Sequence, residues 1–211
     1  MVRTAKKTAT PEEASLWDEV ANLKRERILL EAAKLFAERG YHGTTIDAIA
    51  EKFGATKPFV YYHFESKADL LAEICQRGTV RALNAADRAI SANGTPGERL
   101  DQFVTEFTSI ALENHNYVTV YFREEINLPK PHTDRINAMR KEIDKKLTKL
   151  LEEGIAAGEF DVADPQMCCL VIAGMASYAF AWYREGGRLS PDEIAEQMRQ
   201  LVRNMVDRRS S

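Results

Sequence analysis

Apolar residues return at steps of three and four almost throughout the 211-residue chain, and no segment alternates convincingly as a strand would. A chain patterned this way buries helical stripes, so helix-on-helix packing is the architecture open to it. Ile28, Leu29, Ala32, Ala33 and Phe36 form one such stripe, on a helix that ends before Gly40. Short helical runs follow at 45–53 and 56–63, and a long one begins at Ser66. The start signals are explicit. Thr95-Pro96-Gly97-Glu98 and Ser190-Pro191-Asp192-Glu193 are full capping boxes with proline at the first helical position. Ser66-x-x-Asp69 is a near match, and Asp164-Pro165 opens another helix in the same way. "NLPKPHT" at 127–133 separates two helices, and no internal repeat is found. The expectation is an all-α protein of about nine helices.

A seam falls near residue 66, with three short helices before it and longer ones with broad apolar faces after it. The division predicted is an N-terminal extension at 1–21, flexible or partly helical, then a three-helix domain at 22–66 and a larger helical domain at 67–211. Within the extension, "PEEASLWDEVANL" extends the first helix, and Arg3, Lys6 and Lys7 are either a minor-groove arm or a plain tail.

Several function classes drop out. Cys75, Cys168 and Cys169 make an odd count without CxxC spacing, against a disulfide framework or a zinc site, and no metal or cofactor is expected. His42, His63, His115 and His132 are scattered, with no HExxH pair and no glycine-rich phosphate loop, so an enzyme is not expected. No window approaches ~18 uncharged apolar residues, which argues against a membrane partner. The N-terminus has no apolar stretch of a secretory signal, leaving a reducing cytoplasm as the expected compartment. Net charge is −3, and residues 1–72 hold 11 Lys/Arg against 11 Asp/Glu. Any nucleic-acid contact must therefore come from one local face.

The segment "IDAIAEKFGATKPFVYYHF" at 46–64 has helix-turn-helix spacing. Ile49, Phe53 and Val60 are the apolar positions joining two short helices, Ala50 leaves room where they cross, and Gly54 permits a left-handed turn. Thr56 is placed as the N-cap of the second helix. Val60 and Phe64, four apart, share its packing face, so the remaining rings are not all core. Tyrosine hydroxyls and a lysine near the start of so short a helix suit a DNA groove.

The stretch from Ile28 to Ile74 resembles the N-terminal domain of TetR-family transcriptional repressors. The approach "F-A-E-R-G-Y-H-G-T-T", the "IA-E-K-F-G" helix and the "V-Y-Y-H-F-E-S-K-A-D-L" exit carry the likeness. The resemblance implies an operator-binding homodimer and assigns DNA-facing roles by motif. Thr45 and Thr56 start the two short helices, and Thr45 contacts phosphate. Lys57, Tyr61, Tyr62 and His63 face the DNA, Phe59 touches a thymine methyl, and Lys67 anchors a phosphate at the next helix start.

The C-terminal region offers two further sites. Phe103, Phe107, Tyr117, Tyr121 and Phe122 beside Arg123 have the composition of a small-molecule cavity or, equally, of plain core. The helix from Asp164 is apolar almost all round. One side, with Met167, Val171, Met175 and Tyr178, is assigned to the ligand. The other, with Ala173, Ala176, Phe180 and Tyr183, is assigned to a two-fold partner. The last helix pairs antiparallel with it and adds Ile194, Met198, Leu201, Val202 and Met205 to that interface. "AWYREGGRLSPDEIAEQMRQLV" is similar to TetR-type regulators of fatty-acid, steroid and aromatic-acid catabolism, which implies a hydrophobic effector such as an acyl-CoA. A regulator or architectural protein with no effector remains the alternative, and a packed core without a cavity would mark it.

Overall fold

The computed structural model describes residues 11–207 apart from Asn114, and their side chains apart from those of residues 11–18 and Phe180. The candidate arm of Arg3, Lys6 and Lys7 lies outside the described residues. Among the described residues the fold is all-α. Its helices are α1 (Pro11–Gly43), α2 (Ile46–Phe53), α3 (Lys57–His63), α4 (Lys67–Ser91), α5 (Pro96–Glu113), α6 (His115–Glu124), α7 (Lys130–Ala156), α8 (Pro165–Ser177), α9 (Ala179–Trp182) and α10 (Pro191–Val206). One 3₁₀ turn, Glu125–Asn127, precedes α7. Counting the single turn α9 as a continuation of α8 gives the nine helices expected from the pattern. Two compact units divide between Leu70 and Leu71, inside α4.

In the first unit α1 is longer than its apolar stripe, because it takes in the segment from Pro11. It kinks at Gly40, where φ is 74°, a region that only glycine enters cheaply. Ile28, Leu29, Ala32, Ala33 and Phe36 are fully buried, as their spacing requires. Ile49 and Ala50 of α2, Val60 of α3 and Phe64 complete this core. Gly54 ends α2 in the left-handed conformation at φ 77°, and its N–H reaches the Ala50 and Glu51 carbonyls.

The second unit has its main core between α4, α5, α7, α8 and α10. Ala82, Ala86, Leu100, Phe103, Leu147, Leu150, Leu151, Ile172 and Val202 meet there. A smaller cluster joins Leu112, Ala179 and Ile194. The helix starts follow the capping signals. Ser190 and Glu193 exchange both bonds of a capping box, Thr95 and Glu98 do the same, and the Asp164 carboxylate accepts from the Met167 N–H. One packing expectation is corrected: α10 lies chiefly on α5 and α8 on α7, with only minor contact between α8 and α10. The helix from Asp164 also stops at Ser177 and resumes as the short α9, instead of running on.

Candidate functional site

The first unit presents a short, partly exposed α3. Tyr62 is 80% exposed and Tyr61 46%, so both phenols are available to a partner. Lys57 and Thr56 are also exposed. Thr56 occupies the N-cap position of α3, but its side chain makes no capping bond, which corrects the capping role and leaves the hydroxyl unspent. Thr45 does cap: its oxygen accepts the Ala48 N–H at 3.1 Å, and the side chain remains exposed. Lys57 is held by Asp47 of α2 at 2.8 Å, and that hydrogen bond and charge raise the lysine pKa above its ordinary value. On an exposed surface such a pair contributes little, so a phosphate can take the place of Asp47. Lys57→Ala is expected to weaken binding to all DNA sequences alike. It should also reduce the slope of log affinity against log salt by about one. An unchanged slope in a salt titration would remove Lys57 from the interface.

Three of the assigned residues are turned inward. Phe59 is half-buried, its ring stacked on Phe53 at 5.8 Å between centroids, with the Lys24 ammonium 5.7 Å from its centroid. It packs between α2 and α3, and the reading that gave it to a thymine methyl did not show this aromatic partner. His63 is half-buried against Phe59 and Tyr62, and its carbonyl accepts from Arg25. Burial first, then Arg25 and Lys24, lower its pKa below 6.5, which keeps the imidazole neutral near pH 7. Its Nε2 is buried without a hydrogen-bond partner. A neutral, enclosed ring has no positive charge to offer a phosphate.

Lys67 is half-buried and bonded within the first unit. Its ammonium donates to the carbonyls of Tyr41 at 2.9 Å and Thr44 at 3.0 Å, and lies 4.2 Å from the centre of the Tyr41 ring. The fully buried Thr44 hydroxyl lies within bonding distance of the Leu35 and Gly40 carbonyls. Together they satisfy carbonyls that the kinked end of α1 leaves open. Lys67 is thus a structural tie of the first unit. Lys67→Ala is expected to cost about 1–3 kcal/mol of stability, because charged hydrogen bonds to buried carbonyls are lost. Thermal or urea unfolding measures this; an unchanged midpoint would return Lys67 to the surface role.

The second unit contains a cavity of about 330 Å³ between α4, α5, α6, α7 and α8. Of the residues assigned to a ligand, Phe107, Tyr117, Tyr121, Phe122 and Tyr178 line it. Phe103 does not; it is core at 1% exposure. Arg123 is exposed and does not line the cavity, and Met175 packs against the core instead.

The two sides of α8 do not divide as expected. Met167, Leu170, Val171, Tyr178 and, on α9, Trp182 are exposed large apolar residues. Met167 and Val171 therefore belong to the outer surface, not the ligand site. Ala176, Ile194 and Val202 are core, Ala173 lines the cavity, and Tyr183 packs in the small cluster and on His115. Met198 is half-buried against both cores. Of the residues assigned to a partner, Leu201 and Met205 do face outward. The Phe180 side chain lies outside the described residues.

Sequence reasoning missed the cavity's polar wall and two of its glycines. Arg140 and Asp144 line it from α7. The Arg140 guanidinium donates to the Tyr121 hydroxyl at 2.8 Å. Burial pushes the Tyr121 phenol above its ordinary pKa of 10, so it stays neutral. A signal was present: Arg140 interrupts the inward stripe of Ile136, Ile143, Leu147 and Leu150. Gly78 and Gly174 line the cavity within helices, and a Cβ at either would meet no atom within 4 Å. Glycine inside a helix costs about 0.5–1 kcal/mol against alanine, and at both positions there is room for a larger side chain. All three cysteines are reduced and buried, and burial foremost pushes the Cys75 and Cys169 thiols up to about 12, which makes them inert. Among the described residues no helix is long and apolar enough to cross a membrane.

Comparison with known proteins covers both units. Residues 28–74 match the family model of bacterial regulatory proteins of the tetR family. Residues 93–206 match a tetracycline-repressor-like C-terminal domain. The HTH-type transcriptional repressor KstR2 of Mycobacterium tuberculosis is 31% identical over 186 residues, covering 86% of this chain and 92% of that protein. The structure of that ketosteroid transcriptional regulator superposes with a TM-score of 0.79 at 26% identity, over 88% of this chain and 95% of the other. AibR in complex with isovaleryl coenzyme A and operator DNA shares the fold, with a TM-score of 0.71 at 24% identity, over 84% of this chain and 97% of the other.

Proposed function

We propose that this chain, which belongs to the TetR family of bacterial transcriptional regulators, grips an inverted-repeat operator as a homodimer and lets go when a hydrophobic acid enters its second unit. It is a DNA-binding regulator and not an enzyme; the homodimer, the effector and its consequences are the proposal. The cavity of about 330 Å³ carries the reading. The packed core without a cavity that would mark a regulator lacking an effector is not what the second unit has. The volume is at the small end of the ~300–1,000 Å³ typical of ligand sites. It suits an acyl chain or a compact ring system. In an acyl-CoA, the favoured candidate, the nucleotide portion would remain outside. AibR, a protein of this fold, has been solved in complex with isovaleryl coenzyme A and operator DNA, which makes an acyl-CoA the first compound class to test. Arg140, on the wall, supplies the positive charge for the acidic or thioester end.

DNA would be read by Tyr61 and Tyr62, with Lys57, Thr45 and Thr56 on phosphates. Two copies place two α3 helices about one DNA turn, ~34–36 Å, apart. The exposed apolar side chains of Met167 and Val171 on α8 and Leu201 and Met205 on α10 support the dimer, since exposed apolar surface marks association sites. The helix α4 supplies the route to DNA: Lys67 in its first turn is bonded to the end of α1, and Cys75, Gly78, Thr79 and Ala82 further along it line the cavity.

Gly78→Leu tests the reading. It fills the cavity with a good helix former, so operator binding should persist while acyl-CoAs and free acids no longer release the DNA. Release by the same compounds at unchanged concentration would place the effector elsewhere.

A further inference from the structure

The cavity's one carboxylate is unmatched. Asp144 lines the wall one helical turn beyond Arg140, about 6 Å along α7. No ion pair within 4 Å joins Asp144 to a cation among the described residues, and the Arg140 guanidinium is bonded to Tyr121. Asp144 is met instead by the Cys169 thiol, 3.6 Å from its carbonyl oxygen and 3.9 Å from Oδ1. A thiol is a weak donor, so the carboxylate keeps most of its accepting capacity. The rest of the lining is largely aromatic and aliphatic, with Phe107, Ile110, Ile143 and Leu170 among it. A plain hydrocarbon chain laid over Asp144 would strip water from a charge and give nothing back.

We infer that the effector is a two-headed molecule: an apolar skeleton with an acidic or thioester group for Arg140 and a hydroxyl or amine that donates to Asp144 one helical turn along the same wall. The inference rests on the cavity being the effector site and narrows the chemical class that fills it. Sites built to bond a hydroxyl reject the analogue without it by up to ~10⁴–10⁵-fold. Asp144 is only half-buried, so water can replace some of that bond, and a preference of about 100-fold is the expectation.

The test uses matched pairs of medium-chain acids and their coenzyme A thioesters, with and without a hydroxyl moved stepwise along the chain. Each is titrated into the full-length protein, and affinity and operator release are read. One hydroxyl position should bind about 100-fold tighter than the unsubstituted compound. In Asp144→Leu that preference should vanish and the unsubstituted acid should bind more tightly than in the wild type. Asp144→Asn, which keeps an acceptor, should retain some of the preference and guards against misfolding of the leucine variant. Equal wild-type affinity for hydroxylated and plain members overturns the inference while leaving the cavity as the effector site. Failure of every member of both series to bind overturns the effector reading and the inference with it.

Discussion

Leu201→Arg and Val171→Arg should each yield a monomer that has lost about 10²–10⁴-fold in operator affinity, the range by which linking two binding events exceeds one. Both side chains are exposed in the single chain, at 54% and 36%, so an arginine costs the isolated protomer little. In an apolar two-fold interface the same charge meets its own copy and cannot be solvated. Neither residue lines the cavity, so effector binding by the monomer should survive. Ala176→Arg is the informative contrast. Ala176 is 4% exposed, so a charge there should unfold the protomer rather than separate it from its copy. Sedimentation at micromolar concentration distinguishes the cases. A Leu201→Arg protein that stays dimeric would move the interface off α10.

That contrast shows where the sequence stopped being legible. The apolar character of α8 is almost uniform around its axis, so periodicity reports burial without saying which side meets which neighbour. Only packing decides it: α8 lies on α7 with the Cys169 thiol against Asp144, which leaves Met167 and Val171 outside. Where one face was polar the reading was firm, as for Ile28 to Phe36 on α1 or Val60 and Phe64 around α3. The capping residues Ser190, Thr95 and Asp164 were legible because their chemistry is local. The intramolecular bonds of Lys67 were illegible for the opposite reason. Its partners, the carbonyls of Tyr41 and Thr44, are 26 and 23 residues away, and a backbone acceptor leaves no trace in side-chain pattern. The cavity's polar wall belongs to the same class. Arg140 breaks an apolar stripe visibly, but whether such a break faces solvent or a cavity depends on what lies opposite.

Operator DNA is expected to weaken effector binding by the factor by which the effector weakens operator binding, because the two share one coupling free energy. A complete switch, from 99% competent to 1%, requires about 10⁴-fold, or ~5.5 kcal/mol, of differential affinity. Burial of an acyl chain at ~0.8 kcal/mol per methylene supplies that with about seven methylenes, provided the cavity is open mainly in the released state. The proviso has a structural basis in α4, whose small residues Gly78, Thr79 and Ala82 face the cavity. With so little side chain on that wall, a displaced helix alters the cavity's shape directly. Titrating acyl-CoAs and free acids into the protein with and without operator measures both halves of the cycle. Equal affinity in the two conditions would identify an occupant that switches nothing. Such an occupant would only stabilise the folded state, and its addition would raise the unfolding midpoint without releasing operator.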